Sequence, residues 1–265
     1  DQVYAAMHSA LKLDSAAKIS FVKLEKYQYS LPEVKSDAKE KIAVIIGEGE
    51  IVDDSGDKET IYGDAMAATI RKARMDKDIK AIVLRINSPG GSALASDVMW
   101  REVTLATQEK PVVASMSDVA ASGGYYMAMG CTKIVAKPNA ITGSIGVFGI
   151  LLNAESFLKN KMGITSDGVK TGLFSDVGDP TRTLSEYERK AIQQEVQHTY
   201  DDFVAKAAQG RRMTTDSLKK LASGRVWSGV QAYENGLVDE LGGLQDAIKI
   251  AASLGNLTTY QTVYM

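Results

Sequence analysis

Ile82-Val-Leu-Arg-Ile-Asn-Ser-Pro-Gly-Gly91 is the stretch that decides how this chain folds. Its first half is an apolar, β-branched run broken only by Arg85, the pattern of a buried strand. Pro89 then fixes φ, and Gly90 and Gly91 leave their backbone N–H groups unobstructed, so the segment reads strand, turn, helix. Such a turn either binds an oxyanion or is an ordinary tight turn. About one strand and one helix later the arrangement repeats: Val112-Val113 opens a buried strand, and Asp118-Val-Ala-Ala-Ser-Gly-Gly-Tyr-Tyr126 places Ser122 where a helix begins. A serine there is either a helix cap or a nucleophile.

The same alternation extends along the chain. Strands are expected at residues 42–46, 79–86, 112–116 and 133–136, and helices at 64–74, 95–107 and 122–130. This order argues for an α/β fold with a largely parallel sheet covered by helices, whose ligand sites lie at the carboxyl ends of the strands. Beyond Thr183 the chain turns helical, with segments at 185–209, 216–222 and 244–254. Thr183 or Ser185 can cap the first of these, and Glu186 and Glu188 suit its positive end. Its charged residues read as a solvated face and subunit contact. Residues 1–36 differ: an amphipathic stretch from Val3 to Leu13, a strand over 19–24, then the polar, linker-like Tyr29-Ser-Leu-Pro-Glu-Val-Lys-Ser36. They are either the tail of a preceding domain plus a linker, or an arm of the domain at 37–265.

At 265 residues the chain can bury a full core. Net charge is −2 with both signs interspersed, so no basic stripe recommends nucleic acid. The single cysteine, Cys131, excludes an internal disulfide and reads as a small core side chain. The longest apolar runs, such as Val147-Phe-Gly-Ile-Leu-Leu152, are too short to cross a bilayer. A start at Asp1 without methionine reads as a processed piece or fragment.

Four segments, 84–92 (LRINSPGGS), 118–130 (DVAASGGYYMAMG), 140–147 (AITGSIGV) and 224–243 (GRVWSGVQAYENGLVDELGG), together resemble the signal peptide peptidase A family, also called protease IV. The likeness covers roughly residues 40–252. It implies a ClpP/crotonase-like spiral of mainly parallel strands with a C-terminal helical segment, and a serine peptidase that uses a Ser/Lys dyad, without metal or cofactor. By position, Ser122 is the implied nucleophile, Gly90 or Gly91 with Gly123 the implied oxyanion donors, and Ser144 the serine that hydrogen-bonds the lysine amine; Ser144 can equally be a turn serine. The implied partners are cleaved signal peptides and further copies of the protein, a tetramer of two-domain chains, within a membrane-anchored parent in the bacterial envelope.

A serine hydroxyl needs a base. Only His8 and His198 are present, one in the N-terminal piece and one in a polar helix, which disfavours a Ser–His–Asp triad. A lysine serves if burial lowers its pKa from about 10.4 toward 7–8. In short members of the resembled family the lysine falls a few residues before a Pro-x-Arg motif. The matching stretch, Val169-Lys-Thr-Gly-Leu-Phe-Ser-Asp-Val-Gly-Asp-Pro-Thr-Arg182, has Ser175 there, and Lys170 is displaced by five residues. Longer members are tandem duplications with the lysine in the N-terminal half and the serine in the C-terminal half, so the chain is expected to be such a C-terminal half, its lysine coming from an upstream domain, with Lys170 the alternative base. Two other functions stay open: a crotonase-type acyl-CoA enzyme, with Asp97 and Glu102 as its carboxylates, or a non-catalytic assembly half-domain. Tyr125, Tyr126, Met127 and Met129 either line a groove or pack a core.

Overall fold

A computed structural model describes residues 2–14, 16–23, 38–53 and 60–265. The chain divides into two compact units, residues 1–37 and 38–265. In the first, helix α1 (Gln2–Leu11) buries none of its residues. The two ring nitrogens of His8 lie 2.8 Å from the carbonyl oxygens of Tyr4 and Ala17, which ties the following turn to the helix. Residues 19–23 form no strand, contrary to expectation: a strand needs a paired neighbour, and no described residue of this unit supplies one. Leu24 and the linker-like stretch from Tyr29 to Ser36 lie outside the described residues.

The described residues of the second unit form ten strands: β1 (Lys41–Glu48), β2 (Glu50–Val52), β3 (Thr60–Tyr62), β4 (Ile79–Ser88), β5 (Val112–Ala121), β6 (Lys133–Ala136), β7 (Ile141–Gly143), β8 (Val226–Ser228), β9 (Glu240–Leu241) and β10 (Gln261–Tyr264). The main sheet runs β10-β1-β4-β5-β6-β9, with β7 joined to β5 and β8 to β7, while β2 and β3 pair separately. Every pairing is parallel except β7–β8. This is the largely parallel, helix-covered α/β architecture expected of a ClpP-like fold. On one face pack α2 (Gly63–Met75), α3 (Ala93–Thr107), α4 (Gly123–Ala128) and the end of the long α5 (Glu186–Arg211). On the other, α6 (Leu244–Leu254) lays Ala247, Ile248 and Ala251 over Ile42, Val44, Val83 and Val113. Alternate residues of β1 and β4 therefore enter different cores, which is why both strands read as continuous apolar runs.

One irregularity positions the site. Strands β4 and β5 stay in register from Ile82↔Val112 to Ile86↔Met116, then resume at Ser88↔Ala120, so β5 carries two extra residues at the break. Before the break β5 pairs with β6, and after it with β7. Arg85 satisfies groups freed there: its guanidinium donates to the Met116 carbonyl (3.1 Å) and to the hydroxyls of Ser115 (3.0 Å) and Ser117 (2.8 Å). Desolvation lowers its pKa, against the opposing fields of Asp118 and Glu48. The kink turns the end of β5 toward β7 and delivers Ser122 beside Gly143, whose carbonyl accepts its N–H at 2.9 Å.

Candidate active site

Ser122 follows the last residue of β5 and precedes α4, with φ +52° and ψ −118°. An L-residue reaches that region only at a cost of about 1–3 kcal/mol. Its carbonyl accepts the first helical bond, from Tyr126 N–H at 2.8 Å, but its hydroxyl makes no capping bond. The cap alternative therefore falls away. The strained turn holds the hydroxyl out of the helix and on the wall of an open groove of about 1010 Å³.

The glycine turn after β4 lies against this serine. A Cβ on Gly90 would sit 2.7 Å from both Ser122 Cβ and Gly123 N, so only a residue without one allows the approach. The Gly90 N–H donates to Ser88 Oγ at 3.1 Å. Around Gly91, Ile51 N–H donates to the Gly90 carbonyl (2.9 Å) and Ser92 N–H to the Ile51 carbonyl (2.8 Å), so β2 buttresses the turn. That pattern turns the Gly91 N–H away from β2. Neither the Gly91 nor the Gly123 N–H donates to another described residue, and both glycines line the groove. Ser144 comes one residue beyond the β5–β7 register pair Ala121↔Gly143, at the position matching Ser122. It too has positive φ (+48°), is anchored by its N–H to the Arg225 carbonyl at 2.8 Å, and lines the groove.

Ser122, Gly90, Gly91, Gly123 and Ser144 are thus brought together; Lys170 is not. Its ammonium is 2.6 Å from Asp176, which also binds Arg182, and it does not line the groove. Ser175 donates to the Gly172 carbonyl at 3.0 Å and does not line the groove. No lysine, arginine or histidine is among the described groove residues. The two carboxylates weighed for acyl-CoA chemistry lie away from the groove. Glu102 is buried and pairs with Arg71 (2.6 Å) and Arg74 (3.6 Å), while Asp97 binds Tyr126 and Lys206, and neither lines the groove. Tyr125, Met127 and Met129 are core, and of that quartet only Tyr126 reaches the groove. Cys131 is buried, and burial pushes its thiol pKa up.

Parts of the wall that sequence reasoning missed include Glu50 of β2, the segment Val147-Phe148, and Thr199, Tyr200 and Phe203 of α5. The last set consists of uncharged residues of that helix, which the reading of its charged residues as a solvated face did not address. Phe203, Val204, Ala207 and Ala208 are buried at i, i+1, i+4 and i+5, an apolar stripe confined to its C-terminal end and diluted by the charged residues before it.

Residues 104–258 match the model of Peptidase family S49. The chain is 41% identical over 239 residues to Protease 4 of Salmonella typhi, covering 90% of this chain and 38% of that protein. It is 38% identical over 266 residues to the chloroplastic serine protease SPPA of Arabidopsis thaliana, covering 97% and 39%. It is 41% identical over 180 residues to a putative signal peptide peptidase SppA of Enterococcus faecium, covering 68% and 52%. The chain thus spans about two fifths of the first two relatives.

Proposed function

Because the chain belongs to peptidase family S49, we propose that it carries the nucleophile and oxyanion donors of a serine endopeptidase acting on apolar peptides, signal peptides released from secreted precursors among them. The observation that carries this reading is the strained, uncapped Ser122, whose hydroxyl faces a groove beside two unengaged backbone N–H groups. Its base is a lysine supplied by an upstream domain or a neighbouring subunit. In support, no cation lines the described groove, and the relatives are much longer than this chain. Residues 1–36 are then the tail of a preceding domain.

In the reaction an unprotonated lysine amine takes the Ser122 proton as Oγ attacks the scissile carbonyl. The carbonyl oxygen becomes an oxyanion that accepts hydrogen bonds from the Gly91 and Gly123 N–H groups; the bond of the Gly90 N–H to Ser88 Oγ supports Gly91 over Gly90 in this role. One such donor is worth about 2.7–4 kcal/mol in the transition state. The ammonium returns its proton to the leaving nitrogen as the C–N bond breaks, and water then hydrolyses the Ser122 ester by the same route in reverse order. Ser144, across the β5–β7 register from Ser122, would hold the lysine amine.

Self-association completes the proposal. Phe148, Ile150, Leu152, Val169 and Leu173 are each more than three-quarters exposed, an apolar display suited to cover by another subunit. No described helix is long and apolar enough to span a membrane, so anchoring belongs to the rest of the parent, which we place at the bacterial envelope. Hydrolysis of an apolar chromogenic peptide by the full-length protein, lost in Ser122→Ala, tests the activity. Sedimentation of the same protein at micromolar concentration tests assembly: monomer alone would refute it.

A further inference from the structure

Tyr126 is only 5% exposed, yet it forms part of the groove. Its amide is tied to the Ser122 carbonyl, and its ring packs against Phe203 (centroids 4.5 Å apart) and edge-on to Trp100 (6.4 Å). Its hydroxyl donates to Asp97 at 2.8 Å and accepts from the Lys206 ammonium at 3.1 Å. That ammonium also pairs with Asp97 at 2.5 Å and lies 4.7 Å from the Trp100 ring centroid. Asp97 belongs to α3, which starts directly after the Gly90-Gly91 turn, and Lys206 stands three residues beyond Phe203 on α5. One cluster therefore joins the helix after the glycine turn, the helix after the nucleophile, and the helix forming the opposite wall.

A partly exposed ion pair such as Asp97–Lys206 contributes little to stability. Its use is geometric: a carboxylate and an ammonium that share a phenol fix that phenol in one place. Ring packing on Phe203 and Trp100 restrains the plane of Tyr126 but not how far it reaches into the groove. Neither Asp97 nor Lys206 lines the groove, so any effect they have on a bound peptide passes through Tyr126.

We propose that Asp97 and Lys206 are specificity-determining positioning residues, which anchor the Tyr126 phenol and thereby limit the size of the side chain admitted beside Ser122. The inference rests on reading the groove as a peptide site. Release of the phenol lets a bulky side chain push the ring aside, so discrimination should shift toward larger residues.

Binding isolates this from turnover. In the full-length protein carrying Ser122→Ala, calorimetry compares two acetylated apolar peptide amides that differ only in Ala or Leu at the central position. Adding Asp97→Asn, Lys206→Met or Tyr126→Phe is expected to shift the ratio of the two dissociation constants toward the Leu peptide by about tenfold, the scale of a small change in pocket size. Asp97→Asn and Lys206→Met together should shift it no further than either alone, because they act on one phenol. A ratio unchanged within twofold, with both peptides weakened equally, would make the cluster merely structural and overturn the proposal, as would binding of neither peptide. Should Lys206→Met fail to fold, Tyr126→Phe, which removes one oxygen atom, carries the test. Loss of the peptidase reading shows separately, as absence of Ser122-dependent hydrolysis in the unsubstituted protein.

Discussion

Gly91→Ala is the sharpest perturbation of the oxyanion turn, because its cost can be worked from the contacts. A Cβ at this position would lie 2.0 Å from the Ile51 carbonyl oxygen and 2.8 Å from Ile51 N, on a backbone with φ +150°. An ordinary carbon–oxygen contact is about 3.3 Å, so the turn must withdraw from β2 by roughly 1 Å. That movement breaks Ile51 N–H to Gly90 O and Ser92 N–H to Ile51 O, costing about 1 kcal/mol each. With about 1–3 kcal/mol for an L-residue at that φ, the loss of stability comes to roughly 3–5 kcal/mol. A reacting group misplaced by about 1 Å loses on the order of 10²-fold in rate. The lost donor acts only in the transition state, so kcat should fall with little change in KM. Urea unfolding gives the first quantity and peptide hydrolysis by the folded full-length variant the second. Gly149→Ala is the control, since nothing lies within 4 Å of its Cβ, and it should leave both unchanged. A folded Gly91→Ala protein with kcat within twofold of wild type would refute the assignment of this turn.

Three further outcomes are expected. Ser122→Gly and Ser122→Ala should both abolish hydrolysis, but because φ is +52° the glycine variant should be the more stable by about 1 kcal/mol in urea unfolding; the opposite order would contradict the strained turn. Arg182 holds the carboxyls of Asp176 and Glu188 down at about 2, with Lys170 assisting at Asp176 and the Ser185 backbone at Glu188. Pairs with depressed pKa contribute fully above the ordinary carboxylate range and weaken as pH falls through it toward 2. Hydrogen exchange over residues 170–188 should accordingly stay protected down to about pH 4 and open between there and pH 2; Arg182→Met should open the segment at neutral pH, and protection unchanged at pH 2 would refute the clasp. Cys131, buried and with its thiol pKa raised, should resist alkylation until the protein unfolds, and rapid modification of the native protein would contradict its placement.

The sequence was most legible where strands are buried on both faces. Residues 79–86 read as a strand because both cores claim its side chains, and β4 extends only to Ser88. The second half of β5 was not legible. Ser117 and Asp118 interrupt the apolar run, and the strand continues only by changing partner from β6 to β7 after the register break, a nonlocal event. Strands β2, β3, β7, β8 and β9, at two or three residues, carry no period at all. At the site, sequence pointed to Ser122 and the glycines, but cap and nucleophile share the same local signature, and only the structure shows that the hydroxyl makes no capping bond. It gave no warning that Ser88 would occupy the Gly90 N–H, since that depends on one side-chain rotamer. Asp97 and Lys206 lie far apart in sequence, and only the tertiary packing joins them at Tyr126.

On this reading Ser122 is the nucleophile and its base comes from outside this chain. The direct measurement is hydrolysis of an apolar chromogenic peptide by the 265-residue chain alone and by the full-length protein, each beside its Ser122→Ala variant. Turnover is expected in the full-length protein and lost with Ser122→Ala, with none above that control in the isolated chain. Ser122-dependent turnover by the isolated chain at the full-length rate would contradict the external base, and full-length turnover that survives Ser122→Ala would contradict the nucleophile.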